Sequence, residues 1–494
     1  MNIILICPQY PDTYWSFKHA LKFVSKKAAH IPLGLITVSS LLPKEWNKKL
    51  IDLNIRSLHD TDITWADYVF ISAMAVQSAS VKSILARCIR LQAKTVAGGP
   101  LFTEESDLYR ETVDHLVLNE AEITLPLFLK DLQQGKPKKI YRTKAFADIS
   151  RTPLPDYALL ALNKYNTASI QYSRGCPFNC EFCDITALYG RQVRTKTPGQ
   201  ITAELDILLH QGWKSGVFFV DDNFIGHKKK LKTELLPVVI QWMKSHDYPF
   251  VFITEASINL ADDQELMNLM VEAGFAQVFI GIETPEEESL TACNKLQNKR
   301  RDLIGSVKTI QQSGMEVMAG FIVGFDTDPP NIFQRQVEFI QQSGIITAMV
   351  GLLNAPRLSN LYKRLQGEGR ILSSFSGDNT DFSMNFKPVM DKGDLMEGYH
   401  KIIREIYSSK SYYQRVITFL KHYNLPVNIN RRFTFNRLLA LVKSIVYFGL
   451  IQNNRRYYWN LMLWSLFNKP RTLSLAVTYS IYGYHFRKVF NLKS

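Results

Sequence analysis

Three cysteines on one short loop constrain this chain more than any other feature. Cys176, Cys180 and Cys183 are spaced C-x3-C-x2-C within residues 174–184, RGCPFNCEFCD, directly after the apolar run SIQYS. An apolar run followed by a ligand-bearing loop puts the sulfurs at the end of a strand. Three thiolates on one loop can hold three irons of a cubane cluster and leave the fourth without a protein ligand. Structural zinc takes four protein ligands, and no second cysteine or histidine pair lies close in sequence to complete a set. An electron-transfer cluster likewise takes four cysteines. The spacing therefore points to a cluster with one corner open to a small molecule.

At 494 residues the chain is too long for one core and suggests two to three domains. Its 46% hydrophobic and 21% charged residues exclude collagen-like and disordered classes. Cys7, Cys88 and Cys293 are isolated, so no secreted disulfide framework is expected and a reducing cytoplasm follows. The start, MNIILICPQYP, has no basic leader and too short an apolar run for a signal peptide, so it reads as a first strand. The net charge of +14 is local. Residues 411–494 hold thirteen Lys and Arg and no Asp or Glu, which leaves 46 basic against 45 acidic residues before them.

Residues 1–140 alternate strands with helical stretches, the pattern of a parallel sheet covered on both faces. Strands are expected at 3–7, 50–54, 68–72, 95–97 and 116–118, with helices including 81–91 and 123–132. In such a sheet a ligand sits beyond the carboxyl ends of the strands. The residues there are Pro8 and Gln9, SAMAVQSAS (72–80, with Ser72 and Gln77), AGGP (97–100) and NEAE (119–122, with Glu120). Gly98 and Gly99 let backbone approach a large ligand, or simply make a tight turn. Residues 141–166, with Pro153 and Pro155, form a linker.

Residues 167–370 repeat strand, loop and helix. Thr197-Pro198-Gly199-Gln200 and Thr284-Pro285-Glu286-Glu287 each combine a hydroxyl N-cap, a proline at the first helical position and Gln or Glu three residues after the cap. Asp262 with Glu265, and Asp328 with Pro329, give weaker versions. Strands at 169–173, 217–220, 250–254, 278–282, 317–323 and 348–352 make a partial (βα)6 barrel of the TIM type, whose chemistry sits at the carboxyl ends of the strands. There lie Asp221-Asp222-Asn223, whose carboxylates suit a ligand ammonium or cap a helix. Glu255 and Glu283, ending the next two strands, suit a ligand or a helix N-terminus.

Together, SIQYSRGCPFNCEFCDITALYGR, IPLGLITVSSLLP, the AGGP and LNEAE turns and Gly320-Phe321-Ile322-Val323-Gly324 give the chain a family likeness. It resembles the radical S-adenosylmethionine (SAM) proteins with a cobalamin-binding domain, class B methyltransferases that include the hopanoid methylases. The resemblance implies an α/β protein: a Rossmann-like (flavodoxin-like) cobalamin domain, a partial radical SAM barrel, a connector (371–410) and a basic helical C-terminal extension (411–494). It implies a [4Fe-4S] cluster on Cys176, Cys180 and Cys183. For SAM it implies contacts from Phe182, Asp221, Asp222, Glu255, Glu283, Gly320, Ile322 and Gly324. For cobalamin it implies Ser72, Gln77, Gly98, Gly99 and Glu120. The implied reaction abstracts a hydrogen from an unactivated carbon with a 5′-deoxyadenosyl radical and methylates that carbon from methylcobalamin. The substrate is a small molecule or lipid, and the electron comes from flavodoxin or ferredoxin.

Two departures stand out. The family's glycine-glycine-glutamate string is replaced by Asp221-Asp222-Asn223, and no D-x-H-x-x-G string supplies a histidine to cobalt. No catalytic acid or base can be named. Alternatives are a radical SAM oxidoreductase or cyclase with the same domains, a methylthiotransferase, and a cluster-bearing protein without turnover. The methylthiotransferase is disfavoured because only Cys7 and Cys88 are available in the first domain where three ligands are needed. The tail holds 18 of the 58 aromatic residues and no apolar run of about 18. It reads as a helical cap on the barrel, as a surface for anionic lipid, or, least well, as a nucleic-acid surface. The expected location is the cytoplasm, with membrane association through the tail.

Overall fold

A computed structural model describes residues 1–426 and 435–492; Arg431, Arg432 and Lys493 of the basic tail lie outside the described residues. The first sheet has the order β3-β1-β4-β5-β6-β7 and is parallel throughout. Its strands are β1 (Asn2–Cys7), β3 (Asn47–Asp52), β4 (Tyr68–Ser72), β5 (Thr95–Gly98), β6 (His115–Val117) and β7 (Ile140–Tyr141). Side chains alternate across it, and both faces are covered. Ile4, Ile6, Val69 and Ile71 pack on one side, Ile3, Leu5, Phe70 and Phe128 on the other. The five expected strands are present, and β7 adds a sixth from the start of the linker.

The second sheet has the order β15-β14-β13-β12-β11-β8-β2. Its strands are β8 (Tyr165–Ile170), β11 (Gly216–Phe219), β12 (Val251–Ala256), β13 (Phe275–Glu283), β14 (Glu316–Val323) and β15 (Ala348–Leu352), joined at one edge by β2 (Ala28–His30). It curls into a partial barrel. The seventh strand, β2, comes from the first 140 residues and pairs in parallel with β8, Ala28 opposite Tyr165. Residues 14–31 accordingly pack in the barrel core through Tyr14, Phe23 and Ile31.

The sheet stays open between its edge strands β2 and β15, and the tail fills the gap. Helices Ser409–His422 and Leu473–Val489 bury Tyr412, Phe419, Tyr479 and Phe486 against the barrel. Tyr407 donates to the Ala348 carbonyl at 2.6 Å and its oxygen lies 2.8 Å from that of Tyr14, whose ring stacks on Phe486 at 4.3 Å. The guanidinium of Arg415 is fully buried here and donates to Gln341 Oε1 and to the carbonyls of Ile406 and Ile346. Hydrogen bonds of this kind offset the desolvation of a buried charge. The tail is thus a cap built into the barrel wall.

Helix starts divide by whether their capping groups are needed elsewhere. Thr197 and Gln200 form the expected reciprocal box around helix Pro198–His210. Thr284 does not cap a helix at Pro285. The helix begins at Glu287, after Glu283 takes a left-handed conformation (φ 64°) and Thr284 Oγ1 accepts from Glu286 N. Asp328 accepts from the N–H groups of Gly324 and Phe325, and its helix starts at Ile332. Asp263, one residue after the expected cap, is the N-cap of helix Gln264–Ala273.

Candidate active site

The cysteine loop is closed by a two-residue antiparallel ladder, β9 (Ser173–Arg174) with β10 (Arg194–Thr195), beyond the carboxyl end of β8. Strand β8 stops at Ile170, short of the expected 173, because the next two donors are diverted. Tyr172 N–H donates to Asp221 Oδ2, while Ser173 donates both N–H and Oγ–H to Asp221 Oδ1. Gly175 N–H donates to Asp222 Oδ2 at 2.9 Å. Gly175 has φ 95°, and a Cβ there would lie 2.8 Å from the Gln192 carbonyl, so the loop passes where only glycine fits. Cys176 N–H donates to Gly190 O, Cys183 N–H to Cys180 O, and Glu181 N–H to Cys293 O. Arg364 grips Glu181 through two nitrogens, at 2.6 and 3.2 Å. Burial raises the pKa of all three thiols. Among the described residues no three His, Cys, Asp or Glu side chains converge on one ion-sized point.

The carboxylates at the strand ends have separate tasks. Asp221 is buried with both oxygens engaged in holding the loop; burial pushes its pKa up to about 7 against those donors. Burial lifts Asp222 to about 6, with the Gly175 N–H and Arg174 opposing. Glu255 points into the cavity of the barrel with no described hydrogen-bond partner, and burial beside Asp222 and Asp221 raises it to about 8. Glu283 is paired at 2.7 Å with Lys295, whose Nζ lies 5.9 Å from the Phe182 ring centre. Burial works against the Lys295 ammonium, but Glu283, Cys180 and Cys183 outweigh it and hold the charge. Sequence reasoning passed over Lys295, one of several lysines in a polar stretch with nothing to set it apart.

Beside the loop, Phe182, Ile322, Cys293 and Phe325 share one apolar cluster, with Phe182 edge-on to Phe325 at 6.3 Å. Gly320 lies on β14, where a Cβ would come within 3.0 Å of the Phe279 ring, and Gly324 has φ 101°. Bare backbone and an apolar floor therefore adjoin the three thiols.

The first sheet turns its carboxyl edge toward this loop. A Cβ on Gly98 would meet Val117 O at 2.5 Å, and Gly99 (φ 89°) would press on Ser72 Oγ at 2.7 Å. Asn119, also left-handed (φ 64°), has a buried Oδ1 without a partner among the described residues. This edge is a cradle of close-approach backbone with an unmet acceptor. Two of the expected contacts on it are engaged elsewhere. Gln77 is buried, donating to Pro8 O and accepting from Met74 N. Glu120 is buried between Arg194 (2.9 Å) and Arg174 (3.4 Å), while Glu122 holds Arg174 at 2.8 Å. This ion cluster ties the NEAE turn to the ladder that closes the cysteine loop.

A cavity of about 1710 Å³ runs along the inner face of the barrel. At one end it reaches Glu255 and the carboxyl edge of the first sheet, at Tyr10, Met74 and Val76. At the other it passes the amino ends of β11, β12 and β14 and meets the tail at Leu441, Ser474 and Thr478.

A parallel partial barrel with three cysteines on its first loop, preceded by a doubly covered parallel sheet, defines the radical SAM class. Residues 170–340 match the radical SAM superfamily, and residues 359–493 match a domain of unknown function, DUF4070. The chain is 41% identical to an uncharacterized methyltransferase, sll1242, of Synechocystis sp., across 98% of this chain and 91% of that one. It is 37% identical to the hopanoid C-2 methylase of Rhodopseudomonas palustris, across 78% of this chain and 73% of the methylase. The radical SAM methyltransferase TsrM of Kitasatospora setae, solved with cobalamin and a [4Fe-4S] cluster, aligns over 100% of this chain and 99% of its own, with a TM-score of 0.62 at 14% identity. The cobalamin-dependent SAM radical enzyme OxsB aligns over 99% and 79%, with a TM-score of 0.63 at 14% identity. The chain belongs to the radical SAM methyltransferase family that includes the hopanoid C-2 methylase. It is an enzyme, and its class uses SAM and a [4Fe-4S] cluster.

Proposed function

We propose that this protein methylates an unactivated carbon of a small, largely apolar molecule. Cys176, Cys180 and Cys183 would hold the cluster. Glu255, which holds no part of the loop, and Asp222, which spends one oxygen on Gly175 N–H, suit the ammonium of SAM, while Phe182, Ile322 and the Gly320–Gly324 backbone suit its adenine. Cobalamin would lie on the carboxyl edge of the first sheet against Ser72, Gly98, Gly99 and Asn119. When bound, cluster and SAM supply hydrogen abstraction and cobalamin supplies the methyl group; the chain supplies placement and exclusion of water. Asp221 fixes the loop, Lys295 offsets the negative charge of the thiolates, and Glu120 and Glu122 hold the two cofactor edges in register. A flavodoxin or ferredoxin would deliver the electron.

The observation that carries the reading is the ion cluster of Glu120 and Glu122 with Arg174 and Arg194, which joins the first sheet's carboxyl edge to the cysteine loop, while a long cavity reaches Glu255 and that same edge at Tyr10 and Met74. The hopanoid substrate named for one relative supports a lipid as the molecule that fills it. Anaerobically reconstituted protein should form 5′-deoxyadenosine from SAM and bind hydroxocobalamin with a shifted corrin spectrum. Extracts from cells with and without the protein should differ by a compound one methylene heavier. No 5′-deoxyadenosine in the presence of such an extract would end the enzymatic reading, and its formation without corrin binding would favour the cyclase or oxidoreductase.

A further inference from the structure

The tail carries two features that a simple cap does not need. Its helix Phe435–Ser444, which continues as a π-helix to Ile451, exposes Leu438, Val442, Val446 and Leu450 at four-residue spacing. Helix Arg455–Asn468 exposes Trp459, Leu463, Leu466 and Phe467, the last at 79%. Residues three and four apart share a helix face, so each helix turns an apolar stripe outward, the reverse of an ordinary surface helix. Trp459 Nε1–H donates to Gly449 O at 3.0 Å, which brings the two stripes together. Arg455, Arg456 and Arg471 are exposed around them, and residues 411–494 contain no carboxylate side chain to neutralise the cations.

The first of these helices, with the last helix of the tail, also builds one mouth of the cavity. While Leu438 and Val442 face out, Ala440 and Leu441 line the cavity, and Leu473, Ser474 and Val477 of the last helix line it beside them. From there Phe218, Ile253, Phe279 and Met318 form an apolar wall leading to Glu255. The volume exceeds the few hundred to about 1,000 Å³ of most small-ligand sites, which suits a passage as well as a pocket.

We infer that the outer face of the tail docks on an anionic lipid bilayer, and that the cavity takes its substrate from that bilayer through the mouth at the amino ends of the barrel strands. This rests on the methyltransferase reading for the word substrate, but the docking does not. A contiguous apolar patch marks an interaction surface. Apolar stripes flanked by Arg and Lys match the boundary between acyl chains and anionic headgroups. A nucleic acid fits less well, because the two stripes expose six aliphatic side chains against two rings, Trp459 and Phe467, on which a base could stack. A second copy fits less well too, since a two-fold contact would bring like cations together.

The test is co-sedimentation of the full-length reconstituted protein with vesicles of phosphatidylcholine alone or mixed with phosphatidylglycerol. Most of the protein should pellet with the mixed vesicles and little with the neutral ones. Leu463→Asp with Phe467→Asp should lower the bound fraction at least about tenfold, at unchanged iron content and melting temperature, and Arg455→Glu with Arg456→Glu should lower it most at low salt. Equal recovery in the supernatant with both vesicle types would overturn docking. So would tight binding of a single-stranded oligonucleotide, or a concentration-dependent dimer, that the same variants abolish. For the route, cis-parinaric acid presented in mixed vesicles should enter the cavity several-fold more slowly in Ser474→Trp, and in Thr478→Trp. Uptake as fast as in the unsubstituted protein would overturn it. Neither measurement needs turnover, so a protein that docks but never methylates fails the functional reading alone.

Discussion

The carboxyl end of the barrel and the wall of its cavity are built on opposite principles. At the carboxyl end the working groups are polar, crowded and over-determined: Asp221 takes three donors, Glu120 two guanidiniums, and Lys295 one carboxylate amid three thiols. Along the cavity the wall is Phe218, Phe279 and Met318, and its mouth at the amino ends of the strands meets tail helices whose outer face is itself apolar. The difference teaches where tolerance lies. Polar groups buried in a network are costly to break one at a time, whereas an apolar wall changes shape with its side chains and changes selectivity before stability.

The largest effect should follow removal of the clamp on the cysteine loop. Asp221→Ala orphans three buried donors at once, each worth about 1–3 kcal/mol when left unmet. Iron content after reconstitution should fall to that of Cys183→Ala, and 5′-deoxyadenosine with it, although Asp221 touches no cofactor in the arrangement proposed. Full iron loading of Asp221→Ala would show that the loop holds its shape unaided.

Next in size is the bridge between the two sheets. Glu120→Gln leaves Arg174 and Arg194 with less than their neutralising charge in a buried site, a loss of about 3 kcal/mol where a buried pair is broken. Glu122 retains its hold on Arg174, so thermal unfolding should show the Arg194 half suffering more. A double-mutant cycle between Glu120 and Arg194 should give a coupling above about 1 kcal/mol; additive effects would mean that the two edges are held together by something else.

These two residues also mark where the sequence was legible. The triad, the alternation of β1 and β4 and the Thr197 capping box are local patterns, and local patterns survive into the fold. What stays hidden in the sequence is decided over distance. The side chains of Asp221 and Glu120, expected against SAM and cobalamin, are engaged by Ser173 and Arg194, 48 and 74 residues away along the chain. Strand β2 was missed because three residues carry no period, and its pairing with β8 is set by the packing of Tyr14 and Phe23. Lys295 became visible only once folding set it against Glu283. Position at a strand end was readable, but the partner that claims a side chain was not.

A smaller effect concerns pH. Glu255 keeps its proton to about pH 8 in the folded protein but only to the ordinary carboxylate range when unfolded. The native state therefore holds the extra proton between those values, and the stability of the cofactor-free protein should fall as pH rises through that window. Glu255→Gln should flatten the fall. The sign reverses for SAM: an ammonium beside Glu255 favours the carboxylate, so SAM affinity should rise from about pH 6 to 8 and the rise should vanish in Glu255→Gln. An unchanged profile in the variant, by calorimetry, would remove Glu255 from the SAM pocket.

The smallest effect belongs to the cavity wall, and it separates that wall from the polar end most cleanly. Met318 is half-buried on the cavity wall of β14, two residues before Gly320. Met318→Phe narrows the passage and adds no charge, a change of about 1–2 kcal/mol at most in a core that can adjust. The KM for an apolar substrate should rise several-fold, while the affinity for SAM and the yield of 5′-deoxyadenosine per SAM bound stay within about twofold. If SAM affinity fell as far as substrate affinity, the cavity would act as one undivided pocket, and the contrast between a rigid polar end and a yielding apolar wall would be lost.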